Sequence, residues 1–149
     1  MEQIAKDVPR TNFIFSENEV EEDPLSEIPI DKGLNPIYNI LSAYAELDPG
    51  IGYTQGMNFL AALLYLATGD ETVAFVLLTK VMLDLNWRAC YQDQLIKLIS
   101  LTKKLKLWMM KDEKALALHL DAHGVLLEAQ IASPLMAIFA NLLPLETSL

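Results

Sequence analysis

LNPIYNILSAYAELDPGIGYTQGMNFLAALLYL, residues 34–66, reads as two helices and the loop between them. Asn35-Pro36 is a cap followed by proline at the first helical position, where the missing N–H costs nothing. Leu34, Ile37, Tyr38, Leu41, Tyr44 and Ala45 then recur at helical spacing and are expected to form one buried stripe. Asp48-Pro49-Gly50 ends that helix. Gly50 and Gly52 permit a turn that most residues resist, delivering Tyr53 and Gln55 into a loop at the mouth of the next helix. That next helix, about Met57 to Ala67, is apolar nearly all round and should sit at the centre of a bundle.

The same period extends in the C-terminal direction. Gly69-Asp70 closes the central helix and caps another reaching about Leu85, with Phe75, Leu78 and Met82 on one face. A further helix is expected from about Tyr91 to Met110. Asp112 then caps one from Glu113 to about Gln130, whose apolar positions include Leu116, Leu120, Val125 and Leu127. Ser133-Pro134 repeats the cap-then-proline signal and starts a short helix through Phe139. Upstream, residues 16–33 are acid-rich, contain two prolines and hold no apolar period, which marks an acidic surface loop. No strand-period segment and no internal repeat competes, so the fold class is all-α, a multi-helix bundle.

Composition bounds the function. The 149 residues fit one domain, and 52% hydrophobic content is enough for a sizeable core. A net charge of −9 argues against nucleic-acid binding through a basic face. The single cysteine, Cys90, cannot form an internal disulfide and suits a reducing, cytoplasmic setting. The first residues lack the apolar core of a signal peptide. The longest apolar run, Phe59 to Ala67, is far short of the roughly 20 residues a membrane span needs, so direct membrane insertion is not expected. His119 and His123 stand four apart as in zinc HExxH sites, but Leu120 occupies the glutamate position, and no metal site is assigned. The six methionines suggest gap-filling or a soft contact surface. Without a GxxxxGK[ST] loop the chain is not expected to bind a nucleoside triphosphate by itself.

Two frames carry chemistry. Ile4 to Thr11 reads IxxDxxRT, and Gly52 to Asn58 reads GYxQGMN. Taken singly, Arg10 is a solvated arginine beside nearby acids and Gln55 a polar loop residue; Asp7 is a helix cap or a partner of the arginine, and Tyr53 is core packing or a brace for the turn. Together and in this order, with the ILxAYxxxDPxxGYxQGMNxxAALL cadence between Ile40 and Leu64, they resemble the paired signatures of the TBC domain. That family supplies GTPase-activating proteins for Rab-family small GTPases.

The resemblance implies Arg10 and Gln55 as the catalytic pair. A guanidinium is permanently charged and forked, suited to the oxygens that become more negative as a phosphoryl group departs. An amide orients the attacking water without removing its proton. Ile4, Asp7, Thr11, Gly52, Tyr53 and Gly56 would support and position the pair. The implied partner is a Rab-family GTPase in its GTP state, bringing its own GTP and magnesium; the chain is an activator, not itself a hydrolase, and needs no cofactor or metal. It would be cytoplasmic, serving vesicle trafficking, with peripheral contact to endomembranes through the lipidated GTPase. A catalytically silent GTPase-binding module and a helical adaptor are the alternatives. The family's RxxxW signature does not precede the arginine frame, nor do closing helices follow Leu145, so residues 1–149 are expected to be a partial domain, with apolar helix faces left uncovered. Thr54 stands where a cysteine is usual, Val76 where a tryptophan is common, and residues 134–139 replace a WFxxxF element. Loss of large buried aromatics would weaken the second half of the core.

Overall fold

The computed structural model describes residues 2–16, 34–92 and 95–143; the side chains of Arg10, residues 12–16 and Glu128 lie outside that description, as does the acidic segment 17–33. Seven α-helices and one 3₁₀ turn make up the described residues, with no strand among them. They are α1 (Glu2–Ser16), α2 (Pro36–Leu47), α3 (Met57–Thr68), α4 (Glu71–Leu83), the 3₁₀ turn Trp87–Cys90, α5 (Ile96–Asp112), α6 (Lys114–Ala122) and α7 (Leu127–Met136). The expected all-α class is the observed one.

Helices α2, α3 and α4 pack against one another, and α1 lies against α2 and α3, which makes these four helices the core that carries both sequence frames. The spacing of IxxDxxRT has a simple cause. Ile4, Asp7, Val8 and Thr11 recur at the interval of one helical face, and all four are buried. Proline at position 9 cannot donate to the carbonyl of Ala5, yet α1 continues through it to Ser16.

Asn35 caps α2 as its sequence implies, its Oδ1 accepting from the Tyr38 N–H at 3.0 Å, with Pro36 at the first position. Ile37, Leu41 and Tyr44 are buried with Ile40, but Leu34 is 66% exposed. Leu34 precedes the cap, so the helical period that would have placed it in the stripe does not reach it. Asp70 caps α4 by accepting from the Val73 N–H at 2.8 Å. Gly69 closes α3 at φ 64°, a left-handed conformation that glycine enters without strain. Val76 is 46% exposed, so the missing tryptophan leaves no buried cavity there; the expectation of a weakened core at this position does not hold.

The C-terminal boundaries differ more from expectation. The helix expected from Tyr91 starts at Ile96, because Trp87–Cys90 forms a 3₁₀ turn and Leu95 sits at φ 50°, outside helical space. The Trp87 indole N–H and the Tyr91 hydroxyl both donate to the Met136 carbonyl, at 3.2 and 2.6 Å, tying that turn to the end of α7. Glu113–Gln130 is not one helix. Asp112 is the last residue of α5, not a cap; Glu113 is the joint, and Gly124 at φ 68° breaks the run between α6 and α7. The break is closed by the Val125 N–H donating to Leu120 O at 3.0 Å and the Gly124 N–H to Asp121 O at 3.1 Å, which satisfies the end carbonyls of α6. Pro134 lies inside the last turns of α7 and does not open a helix. Ile138 and Phe139, at φ 52° and 62°, turn the chain instead.

Candidate functional site

The loop from Asp48 to Gly56 joins α2 to α3 and carries Gln55. It is held at both ends. At its start, Asp48 terminates α2 and accepts from three side-chain donors: Arg88 Nε at 2.8 Å and Nη2 at 2.9 Å, and the Tyr44 hydroxyl at 3.0 Å. Its backbone carbonyl accepts from the N–H groups of Ile51 and Gly52, at 3.1 and 2.8 Å. The forked Arg88 pairing holds the Asp48 carboxyl below the ordinary carboxylate range. Burial, then the bond to Asp48, pushes the Tyr44 phenol up to about 12. Gly52 completes the turn at φ 62°.

At the far end the loop meets α1. Tyr53 donates its hydroxyl proton to Asp7 Oδ2 at 2.9 Å, with Asn58 Oδ1 at 3.2 Å within reach of the same proton. Asp7 also accepts from the Gln3 amide at 3.1 and 3.0 Å. Asn58 Nδ2 donates to Thr11 Oγ1 at 2.9 Å, and that hydroxyl donates to the Asp7 carbonyl at 3.1 Å. The Gly56 N–H donates to Asn58 Oδ1 at 3.0 Å. Burial, with the bond to Asp7, raises the Tyr53 phenol well above its ordinary range. The Thr54 N–H meets the Met57 sulfur at 3.3 Å, and the Met57 N–H donates to Thr54 O at 3.2 Å, closing the tight turn on which Gln55 stands.

Of the residues singled out by sequence, Ile4 is wholly buried and Asp7, Thr11 and Gly56 are buried around the network. Gly56 takes φ 105°, open to glycine and strained for any other residue. Gln55 is exposed at the tip of its turn. Asp7 lies inside α1, so it is not a helix cap; it braces Tyr53 and links the two frames. The backbone of Arg10 lies in α1 between Asp7 and Thr11, about 60° round the helix from Asp7; its side chain falls outside the described residues. His119 and His123 are exposed, with ring centroids 4.1 Å apart, and no group of three or more His, Cys, Asp or Glu capable of holding a metal occurs among the described residues.

Three contributors escaped the sequence reading. Asn58 stands inside the quoted frame without a role, although a lone amide among Met57, Leu60, Ala61 and Ala62 is a visible anomaly. Gln3 sits one helical turn before Asp7, a detectable spacing. Arg88 is 40 residues from Asp48, and nothing in the sequence pairs them.

The class of protein so defined is an all-helical domain in which a short motif on the first helix is bonded to a glutamine-bearing loop before the central helix. The chain belongs to the Rab-GTPase-TBC domain family, whose sequence model matches residues 1–149. It is similar to TBC1 domain family member 1 of Bos taurus, 32% identical over 122 residues that make up 82% of this chain and 10% of that protein. It is also similar to the GTPase-activating protein GYP5 of Eremothecium gossypii, 38% identical over 85 residues, 57% of this chain and 8% of that protein. Growth hormone-regulated TBC protein 1 of Xenopus laevis is 32% identical over 117 residues, 76% of this chain and 33% of that protein. The chain thus spans a third or less of the length of these relatives. No described helix is long and apolar enough to cross a membrane.

Proposed function

We propose that this chain carries the activating site of a GTPase-activating protein for Rab-family small GTPases. The observation that supports this reading is the bridge from Tyr53 and Asn58 to Asp7 and Thr11, which spans 46 and 47 residues of sequence and brings the Arg10 turn of α1 beside the Gln55 loop. Arg10 would neutralise charge growing on the phosphoryl oxygens, and Gln55, exposed on a braced turn, would orient the attacking water. The partner supplies GTP and magnesium. An arginine given in trans is worth roughly 10³ to 10⁵ in rate, about 4 to 7 kcal/mol of barrier. A relative whose name states GTPase activation points the same way. The site would work in the cytoplasm, at endomembranes reached through the lipidated GTPase.

Single-turnover GTP hydrolysis by a panel of Rab proteins tests this, with the chain added beside Arg10→Ala and Gln55→Ala. Acceleration lost in both variants is expected. Because Gln55 is exposed, Gln55→Ala should keep wild-type stability within about 0.5 kcal/mol, so its loss of rate reads as chemistry. A folded chain that binds GTP-loaded Rab without accelerating hydrolysis would instead be a silent binding module, and one that binds no Rab would be an adaptor.

A further inference from the structure

We infer that Asn58 is a positioning residue: its amide locks the Gln55 turn to the Arg10 helix, and it governs the rate of activation without touching the nucleotide. The inference rests on the function proposed above.

Asn58 is 2% exposed in the first turn of α3, where the neighbouring buried positions are all apolar. An amide there loses its water and is tolerated only when its bonds are replaced. Both ends are satisfied, and by different elements: the carbonyl by the Gly56 N–H at 3.0 Å, the NH₂ by Thr11 Oγ1 at 2.9 Å. The Gly56 contact also fixes the orientation of the amide, since a flipped group would set a donor against a donor. Gly56 is the cap residue of α3, has no side chain to hold itself, and sits at φ 105°. Rotation about its backbone would swing Gln55, the preceding residue, across the mouth of the site. The Asn58 bond removes that freedom, and the Thr11 bond refers the loop to α1. No other side chain of this size both accepts and donates here; aspartate keeps the acceptor and loses the donor.

The test combines kinetics with amide exchange. Single-turnover hydrolysis on the Rab panel is measured for wild type, Asn58→Ala, Gln55→Ala and the double variant, with thermal unfolding to confirm folding. Asn58→Ala should lower the saturating rate by about 10- to 100-fold, while the half-saturating concentration moves by less than about threefold. In the Gln55→Ala background the same substitution should cost less than about threefold, because the group it positions is already gone. Equal losses in both backgrounds, or a loss carried wholly by the half-saturating concentration, would overturn the inference. If Asn58→Ala does not fold, Thr11→Val takes its place: it removes the acceptor of the amide together with the hydroxyl's own bond to the Asp7 carbonyl, and a smaller loss with the same dependence on Gln55 is expected. Hydrogen exchange at the Gly56 amide gives a readout independent of activity. In Asn58→Ala, or in Thr11→Val if that is the variant that folds, it should quicken selectively against the Tyr38 amide, which Asn35 holds. If wild type activates no Rab, the proposed function fails and this exchange decides the holding role alone. Unchanged Gly56 exchange sinks the inference in either case.

Discussion

Removing the Tyr53 hydroxyl is the sharpest probe of the bridge between the two frames. Tyr53→Phe keeps the half-buried ring and deletes one donor from Asp7, a carboxylate only 3% exposed. A hydrogen bond to a charged group contributes about 1.5–3 kcal/mol. Asp7 keeps its bonds from the Gln3 amide, and Asn58 Oδ1 keeps the Gly56 N–H, so no acceptor is stranded. The expected cost is therefore in the lower half of that range, about 2 kcal/mol. For a domain of this size that corresponds to a fall in Tm of about 6 °C. Urea denaturation and thermal unfolding followed by circular dichroism measure it, and the Tyr53→Phe, Asp7→Asn cycle isolates the pair, with a coupling of about 1 kcal/mol or more expected. A Tyr53→Phe cost below about 0.5 kcal/mol together with zero coupling would refute the reasoning: the bridge would then be a contact without energetic weight.

Further outcomes concern the rest of the loop. Asp48, held below the ordinary carboxylate range by Arg88, contributes stability that is present above about pH 4 and lost as pH falls below it, so Arg88→Met should flatten the acid limb of a stability–pH curve from urea melts. Tyr44, raised to about 12, contributes stability that is present below about pH 10 and lost as pH rises from there; Tyr53 and Tyr91, also raised by burial, act in the same sense. Tyrosinate absorbance should show these three silent in the native protein until alkaline unfolding exposes them. Gly56→Ala meets only an ordinary contact, Met136 Cβ at 3.9 Å from the added Cβ, so its cost is backbone strain at φ 105°, about 1–2 kcal/mol by chemical denaturation.

Much of the core and its caps was legible because those signals are local. Asn35-Pro36 and Asp70 act within three residues, and the bonds from Asn35 to the Tyr38 N–H and from Asp70 to the Val73 N–H are where sequence placed them. The C-terminal half was less legible for a physical reason. The apolar residues of 113–130 match one helical period, but Gly124 takes φ 68° within that run and divides it into two helices. Tyr91, where the sequence leads one to expect a helix start, lies before the helix. Its hydroxyl bond to the carbonyl of Met136, 45 residues away, holds it in a turn that no local pattern announces.

The amino-acid sequence by itself determined the all-α class, the central apolar helix, the family and the two frames, because periodicity, caps and motif spacing are written over a few turns of chain. Only the tertiary structure decided what binds the frames together. Asp48 finds Arg88, Tyr53 finds Asp7 and Asn58 finds Thr11 across 40 to 47 residues. Such pairings arise when helix packing brings polar groups distant in sequence within hydrogen-bond reach and removes some or all of their water, which the new bonds replace.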